Sequence, residues 1–492
     1  MSIHLPSPGS EKAVRTVERI ALLADSVTPL QLYRSLQARG LGPALFESNE
    51  GGVRWGRYTL VLAAPLRRLV HRAEGSTQLH VGAHVHDLGP VDPLIVLQGL
   101  LRHTTLDNDH NHDGYEGPTG GFYGLLGYPI MHWIEPRVPV RLAPHESLPV
   151  VELVEPSLLF TFDHLKQVLW IQRFSQAGQQ GEPLEPYALE LINTARKVSG
   201  PTPRPAMARR PVTLQHQTAK ADYLQAVERA KQHIHAGDIF QIVLAQRFTA
   251  EAVVPADELY RALRVVNPSP YLFLLPLSGG TLVGSSPEVM VRLRRRRIEL
   301  RPIAGTRPRG ATRELDQAHE RELRADPKEL AEHLMLVDLG RNDVGRVAAA
   351  GTVEVPEKFV VERYSRVMHI VSQVEGTLRD DCDGVDLFRA TFPAGTVSGA
   401  PKVRACELIH ELEGLARGPY AGAVGYFDYR GDMDTCIVLR TAIHDGTHIH
   451  LTAGAGVVFD SVPELEHAEC INKARALVDA LELMAAAAPG GD

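Results

Sequence analysis

The sequence is poor in cysteine, with four in 492 residues (Cys382, Cys406, Cys436 and Cys470) and no CxxC pair among them. That excludes a disulfide framework and a structural zinc site, and it fits a reducing compartment. Long uncharged apolar runs are missing, so no segment is expected to span a bilayer. The amino-terminal stretch MSIHLPSPGSEKAVRTVERI also lacks the apolar core of a secretory signal. A cytoplasmic chain with no membrane partner is expected. Positive charge is not in excess: the formal net charge of −7 argues against a nucleic-acid partner. The densest cationic run, Arg292-Leu293-Arg294-Arg295-Arg296-Arg297, joins two alternating segments and reads as a solvated hairpin end. Internal repeats are missing, and so is the GxxxxGK[ST] spacing of a nucleotide phosphate loop. No Gly-x-Cys-x-Gly nucleophile elbow surrounds any cysteine.

What is there is globular: 44% of the residues are hydrophobic and 23% charged, enough to fill the core of a two-domain or two-lobed protein. The stretch Gly200 to Pro211, rich in proline and arginine, breaks the periodic pattern. It sets the expected organisation as a front domain 1–199, a linker 200–215 and a second domain 216–485. Strands are expected around Tyr58 to Ala63, Val151 to Val154 and Leu158 to Phe162 in the front domain. After the linker a helix from Lys220 to His235 should end at Gly237. Further strands follow near Phe240 to Ala245, Tyr420 to Tyr429, Cys436 to Ala442 and His448 to Ala453, the last two joined by an Asp445-Gly446 turn. Closely spaced strands without intervening helices predict an α+β fold, antiparallel sheets packed together and covered by helices. The string Asp107 to Asp113 is histidine-containing but flanked by polar residues, and reads as a surface loop.

Two glutamate pairs stand out. Glu329/Glu332 and Glu466/Glu469 each sit at an apparent helix start, marked by Asp326-Pro327 and by Ser461-Val462-Pro463. Residues at i and i+3 share a helix face, so each pair aims two carboxylates the same way. If the helices face one another, this histidine-free, hard-oxygen set suits Mg²⁺ better than zinc. The alternative is that Glu329 and Glu464 complete capping boxes and the others are solvated. The string Gly395-Thr396-Val397-Ser398-Gly399-Ala400-Pro401-Lys402 leads into the helical stretch Val403 to Leu412, a loop able to present backbone N–H groups to an anion. Gly454-Ala455-Gly456 lets backbone approach a ligand closely.

Four long strings occur in order: Arg301 to Gly310 (RPIAGTRPRG), Glu329 to Asp343 (ELAEHLMLVDLGRND), Phe392 to Lys402 (FPAGTVSGAPK) and Glu464 to Arg475 (ELEHAECINKAR). Together they resemble the chorismate-binding enzymes, which include anthranilate synthase large components, aminodeoxychorismate synthases, isochorismate synthases and salicylate synthases. The resemblance is strong over residues 215–480, and Leu45 to Ser48 with Glu50 to Tyr58 resembles the front domain of the anthranilate branch. It implies Mg²⁺ held by Glu332 and Glu469, with Glu329 and Glu466 completing the acidic shell. It implies that Thr396 and the backbone at Gly454 bind the ring carboxylate of chorismate. Tyr420, Arg440, Gly456 and Lys473 would take the enolpyruvyl carboxylate, and Gly305 and Thr306 would lie against the substrate. Glu288 would be the general acid for the departing ring hydroxyl, and His369 a candidate base for the later ring proton.

Two positions discriminate within the family. Water-using members carry a lysine base where this chain has Gln241, and an amide is no base near neutral pH. Aminodeoxychorismate synthases carry a nucleophilic lysine where this chain has Ala304. The expected reaction is therefore chorismate and ammonia to anthranilate and pyruvate. Ammonia would come from a separate glutamine amidotransferase subunit, in a heterotetramer. The alternatives are an aminodeoxychorismate synthase component or a non-catalytic chorismate or tryptophan sensor. The resemblance further implies an L-tryptophan inhibitor site built from Glu47, Ser48, Pro270, Tyr271 and Leu272, with Phe46 and Leu272 as departures from the usual residues.

Overall fold

Side chains alternate across the strands, and here both faces are apolar. The computed structural model describes residues 13–48, 56–109, 114–142, 148–178, 181–198, 211–252, 254–364 and 367–485. Leu60 and Leu62 of the strand Tyr58–His71 face one buried cluster, while Val61 and Ala63 face another. Tyr271–Leu277 repeats the pattern, with Phe273 and Leu275 on the first side and Leu272 and Leu274 on the second. Phe122–Leu126 splits Tyr123 and Leu125 from Phe122 and Leu126 in the same way. Successive side chains leave a strand on opposite faces, so such strands must be covered on both sides. The shared cluster lies between sheet faces, and helices cover the outer clusters. Tyr223 and Val227 of Lys220–His235 and Val337 and Val344 of Pro327–Gly345 join one of these; Leu477 and Leu481 of Pro463–Ala485 join the other. Each fully buried Leu, Val or Phe contributes about 1.5–3 kcal/mol.

The pairing is almost wholly antiparallel, and the α+β class expected from the sequence is the class observed. The exception is Ala13–Leu23, which runs parallel to Thr104–Asp107. Front and rear halves share the hydrogen-bonded network: Ala44–Glu47 pairs with Tyr271–Leu277, and Phe122–Leu126 with Ala423–Phe427. The expected linker 200–215 lies outside the described residues up to 210. Its last residue belongs to the short strand Gln215–His216, paired with Phe248 and Thr249.

A buried ionic knot also ties the halves together. The Glu155 carboxylate, 1% exposed, accepts from Arg15 Nε at 2.7 Å, from Arg67 and from the Tyr429 hydroxyl. Tyr429 follows the strand Ala423–Phe427 of the rear half. The two guanidinium groups hold the Glu155 carboxyl below the usual range despite burial. Glu155→Gln would leave those guanidinium groups short of a counter-charge. The expected loss is about 3–5 kcal/mol of unfolding free energy, read as a lower urea midpoint at pH 7. A midpoint within error of the wild type would show that the knot does not hold the halves.

Candidate functional site

The site is assembled from chain ends and turns at one rim of the sheet system. Glu288 lies in the bend between the strands Gly280–Ser286 and Val289–Arg294. Thr396 sits in the 3₁₀ turn Gly395–Val397. Arg440 lies between the strands Met433–Ile437 and Thr441–His444, with a left-handed φ of 47°, and not within a continuous strand as expected. That turn takes its guanidinium out of the strand alternation. Gly454 belongs to His448–Val457, and Lys473 to the helix Pro463–Ala485. Glu288, Thr396, Tyr420, Arg440, Gly454 and Lys473 line one cavity of about 80 Å³. Glycine is required at 454, where a Cβ would stand 2.6 Å from the Tyr420 hydroxyl.

The electrostatics are those of an acid beside an anion site. Burial raises the Glu288 carboxyl above its ordinary value, while the Thr396 hydroxyl, donating to Oε2 at 2.8 Å, and the charges of Arg440 and Lys473 oppose the rise. Arg440 has no ion-pair partner among the described residues; burial lowers its pKa and the Glu288 charge counters. Lys473 Nζ donates to the Gly454 carbonyl at 3.0 Å and meets Glu469 Oε1 at 2.8 Å, which ties helix to strand.

His369 stands on the strand Val367–Thr377 opposite a bulge in Ile303–Pro308. Its Nδ1 lies 3.1 Å from the Gly305 carbonyl and 3.0 Å from the Thr306 hydroxyl. Burial lowers its pKa to about 4. The imidazole is neutral near pH 7, and an Nδ1–H donated to Gly305 leaves Nε2 as the basic nitrogen. His369, Gly305 and Thr306 do not line the Glu288 cavity, although the Arg440 charge reaches His369.

The helix Pro327–Gly345 begins at Asp326, whose side chain accepts from the Lys328 and Glu329 N–H groups, as its sequence predicts. Glu332 Oε1 accepts from Gln241 Nε2 at 3.1 Å. Burial, and then the adjacent Glu329 charge, raise the Glu332 pKa. Burial also raises Glu466, with the Glu469 charge adding to it. Lys328 and Lys473 act on both Glu332 and Glu466, so the two helices present these faces to a common space. The four carboxylates are nonetheless not drawn into one cluster: Glu329 pairs with Arg307 at 3.0 Å and Glu469 with Lys473. Among the described residues no three His, Cys, Asp or Glu side chains form a group able to hold a metal ion. The donor chemistry still fits a hard divalent cation, since two carboxylates are destabilised by burial and like charge.

The segments Leu45–Ser48 and Pro270–Leu272 also meet. Leu272 is opposite Glu47 and Phe273 opposite Phe46 in one antiparallel ladder. Glu47, Ser48, Pro270, Tyr271 and Leu272 line a second cavity of about 90 Å³. Glu47 is already engaged: Tyr260 donates to Oε2 and Arg264 to Oε1, each at 2.6 Å. Sequence reasoning missed two residues of this wall. Arg292, read as solvated, is buried and donates from Nε to Asp434 at 2.9 Å, and Asp434 accepts from Tyr271 at 2.8 Å. The run Arg294 to Arg297 is exposed as expected, turning at Arg295 and Arg296 with positive φ. Position was the available signal: Arg292 falls between the buried Val291 and Leu293 inside the strand Val289–Arg294, short of the tip at Arg295 and Arg296.

Comparison with known proteins places this geometry. Residues 89–479 match the family described as chorismate binding enzyme, a longer span than the motifs alone suggest. A Pseudomonas putida protein named anthranilate synthase component 1 is 43% identical over 476 residues, covering 94% of each chain. An Aquifex aeolicus protein of the same name is 40% identical over 468 residues, again covering 94% of each. Among solved structures, anthranilate synthase component I from Streptococcus pneumoniae superposes with a TM-score of 0.72 at 31% identity, over 93% of this chain and 99% of that one. A menaquinone-specific isochorismate synthase from Escherichia coli shares the fold, with a TM-score of 0.70 at 22% identity over 95% of each chain. The chain belongs to the chorismate-binding enzyme family.

A hydroxyl donating to a carboxylate favours the charged form, so its loss must raise the acid's pKa. Thr396→Val is expected to move the Glu288 midpoint further upward, followed by infrared titration of the carboxyl C=O band with Glu288→Gln as the blank. An unmoved midpoint would mean that Thr396 does not set the acid's strength.

Proposed function

We propose, with family membership as the premise, that this chain is the chorismate-using component of an anthranilate-forming enzyme. It would convert chorismate and ammonia to anthranilate and pyruvate, the committing step towards tryptophan. The observation that carries the reading is Glu288: a carboxyl raised by burial, held by Thr396, in one cavity with Arg440, Tyr420 and Lys473. Gln241 and Ala304 select this branch. The Gln241 amide is bonded to Glu332 and cannot act as a base, and the Ala304 methyl cannot act as a nucleophile.

The enolpyruvyl carboxylate suits the unpaired fork of Arg440 and the Tyr420 hydroxyl. The ring carboxylate suits the end near Thr396 and the acidic helix faces. Glu332 and Glu469, with Glu329 and Glu466 beside them, would hold Mg²⁺, which would neutralise that carboxylate and fix the ring. Glu288 gives its proton to the ring hydroxyl as the C–O bond breaks, because hydroxide is a poor leaving group. Ammonia adds to the ring with its own lone pair. Neutral His369 then takes the ring proton as pyruvate departs and the ring becomes aromatic. Glu288 must be protonated, and its raised pKa extends the active range upward from the ordinary carboxyl value. His369 must be unprotonated, so activity should fall as pH drops through about 4.

Glutamine hydrolysis is assigned to a separate amidotransferase subunit. None of the four cysteines is an activated thiol: Cys406, Cys436 and Cys470 are buried, and burial raises Cys382 as well. The front domain, 1–199, would contribute the tryptophan site, with the amino acid's ammonium on the remaining lone pairs of Glu47 and its indole against Pro270 and Tyr271. No helix among the described residues is long and apolar enough to cross a membrane.

Chorismate, ammonium and Mg²⁺ should yield fluorescent anthranilate and equimolar pyruvate without added glutamine. Glu332→Gln or Glu469→Gln should lose Mg²⁺-dependent turnover, and Glu288→Gln should be slower by about 10²–10⁴-fold. A dominant 4-amino product, or full activity in the glutamate variants, would overturn the assignment.

L-Tryptophan should inhibit, and chorismate should weaken its binding by the same factor. Ser48→Arg should abolish inhibition and spare ammonia-dependent turnover. Calorimetric titration with and without chorismate checks this; binding indifferent to chorismate would remove the switch.

A further inference from the structure

Behind the Glu288 cavity lies a larger one of about 330 Å³, open to solvent and assigned to nothing so far. It occupies a gap along the outer edge of the strand Gln241–Glu251, between its pairings with Gly399–Ala400 and Gln215–His216. Side chains fill that edge in place of a strand: Glu413 Oε1 accepts from the Ala245 N–H at 2.8 Å, and Arg417 Nη2 donates to the Val243 carbonyl at 2.7 Å. Thr452 lines this cavity and the Glu288 cavity alike. A small void of about 10 Å³, lined by both Thr452 and Tyr420, adjoins the same wall. Arg417, which lines the large cavity, lies over the Tyr420 ring with 5.5 Å to its centroid. The partition between the two cavities is thus about one side chain thick.

The lining is cationic where it matters. Arg229, Arg247 and Arg417 face Asp222 and Glu413. Glu413 is neutralised by Arg417, which donates Nε and Nη2 to it at 2.8 and 2.5 Å. Asp222 is exposed at the outer lip, and Arg229 has no ion-pair partner among the described residues. Gln246 also lines the cavity; it is 1% exposed, and the Cys470 thiol is the polar neighbour of its amide. A thiol is a weak partner, so the amide can still take a polar ligand.

We propose that this arginine-lined cavity is the exit route for the small carboxylate product. The inference rests on the reading of the Glu288 cavity given above. There the enolpyruvyl end lies innermost, at Arg440 and Tyr420, with the ring between it and the glutamate faces. When pyruvate forms, the aromatic product lies between it and the glutamate faces and blocks the way forward. Behind Tyr420 and Thr452 the charge is of the opposite sign, and Gln246 offers an N–H to a carboxylate or keto oxygen. Opening requires Thr452 and the Tyr420 ring, which stand between the two cavities, to move aside.

Leu415→Trp narrows the outer lip and Arg229→Glu reverses its charge; neither residue touches the Glu288 cavity. With ammonium as nitrogen source, each variant should keep the wild-type single-turnover rate. Each should show a burst of anthranilate followed by a steady-state kcat about five- to tenfold lower, because release has become limiting. Unchanged kcat, or a slowed first turnover, would overturn the route. A titration of ¹³C-labelled pyruvate, observed by NMR, is independent of turnover: Arg229→Glu should weaken binding at least fivefold, and equal affinity would refute the proposal. A wild type that binds pyruvate at this cavity yet forms none from chorismate would instead sink the proposed reaction.

Discussion

Glu288 is pulled two ways. Water exclusion favours its neutral form, while Thr396, Arg440 and Lys473 favour the anion. An acid useful near neutrality requires that neither side win, and much of the architecture serves that balance. Arg440, in its left-handed turn, acts on the carboxylate through its charge and forms no closed ion pair with it. Lys473 is held back by the Gly454 carbonyl and Glu469. Burial on both faces of the sheet supplies the apolar surroundings without which the carboxyl would ionise at its ordinary pKa.

The same sheet connects this balance to the front of the molecule. Tyr271 pairs with Ser286, two residues before Glu288, and Leu272 pairs with Glu47. From Asp434 to Arg440 the chain runs from the wall of the second cavity to the wall of the first. A ligand that moved Tyr271 or Asp434 would act on the strands that carry the acid and the guanidinium. Such coupling passes through hydrogen-bonded ladders and buried side chains, which tolerate discrete shifts better than gradual ones.

Local features were legible in the sequence, and pairings between distant segments were not. The helix Lys220–His235 and the Asp445-Gly446 hairpin follow from periodicity, glycine and alternation, which act over a few residues. The Asp326 cap is equally local. The two stretches read as Val151 to Val154 and Leu158 to Phe162 are one strand, Val151–Asp163, because its partner strand carries it past Pro156 at a register shift. The gathering of Glu288, Thr396, Tyr420, Arg440, Gly454 and Lys473 was inferred from family likeness and not from periodicity. Its members come from six separate turns and elements. Arg292 was misread because its buried partner, Asp434, is 142 positions away. The engagement of Glu47 by Tyr260 and Arg264 was hidden for the same reason.

The close approach of Gly454 to Tyr420 bears on how this chain can change over generations. A single methyl at 454 would put carbon 2.6 Å from a buried phenol and 3.1 Å from the Leu244 carbonyl, so any side chain there forces the Tyr420 ring or the strand to shift. On the proposed reading, Gln241 and Ala304 select the nucleophile through side chains that meet no such collision. A change of chemistry in this chain would then be easier at those two positions than at 454.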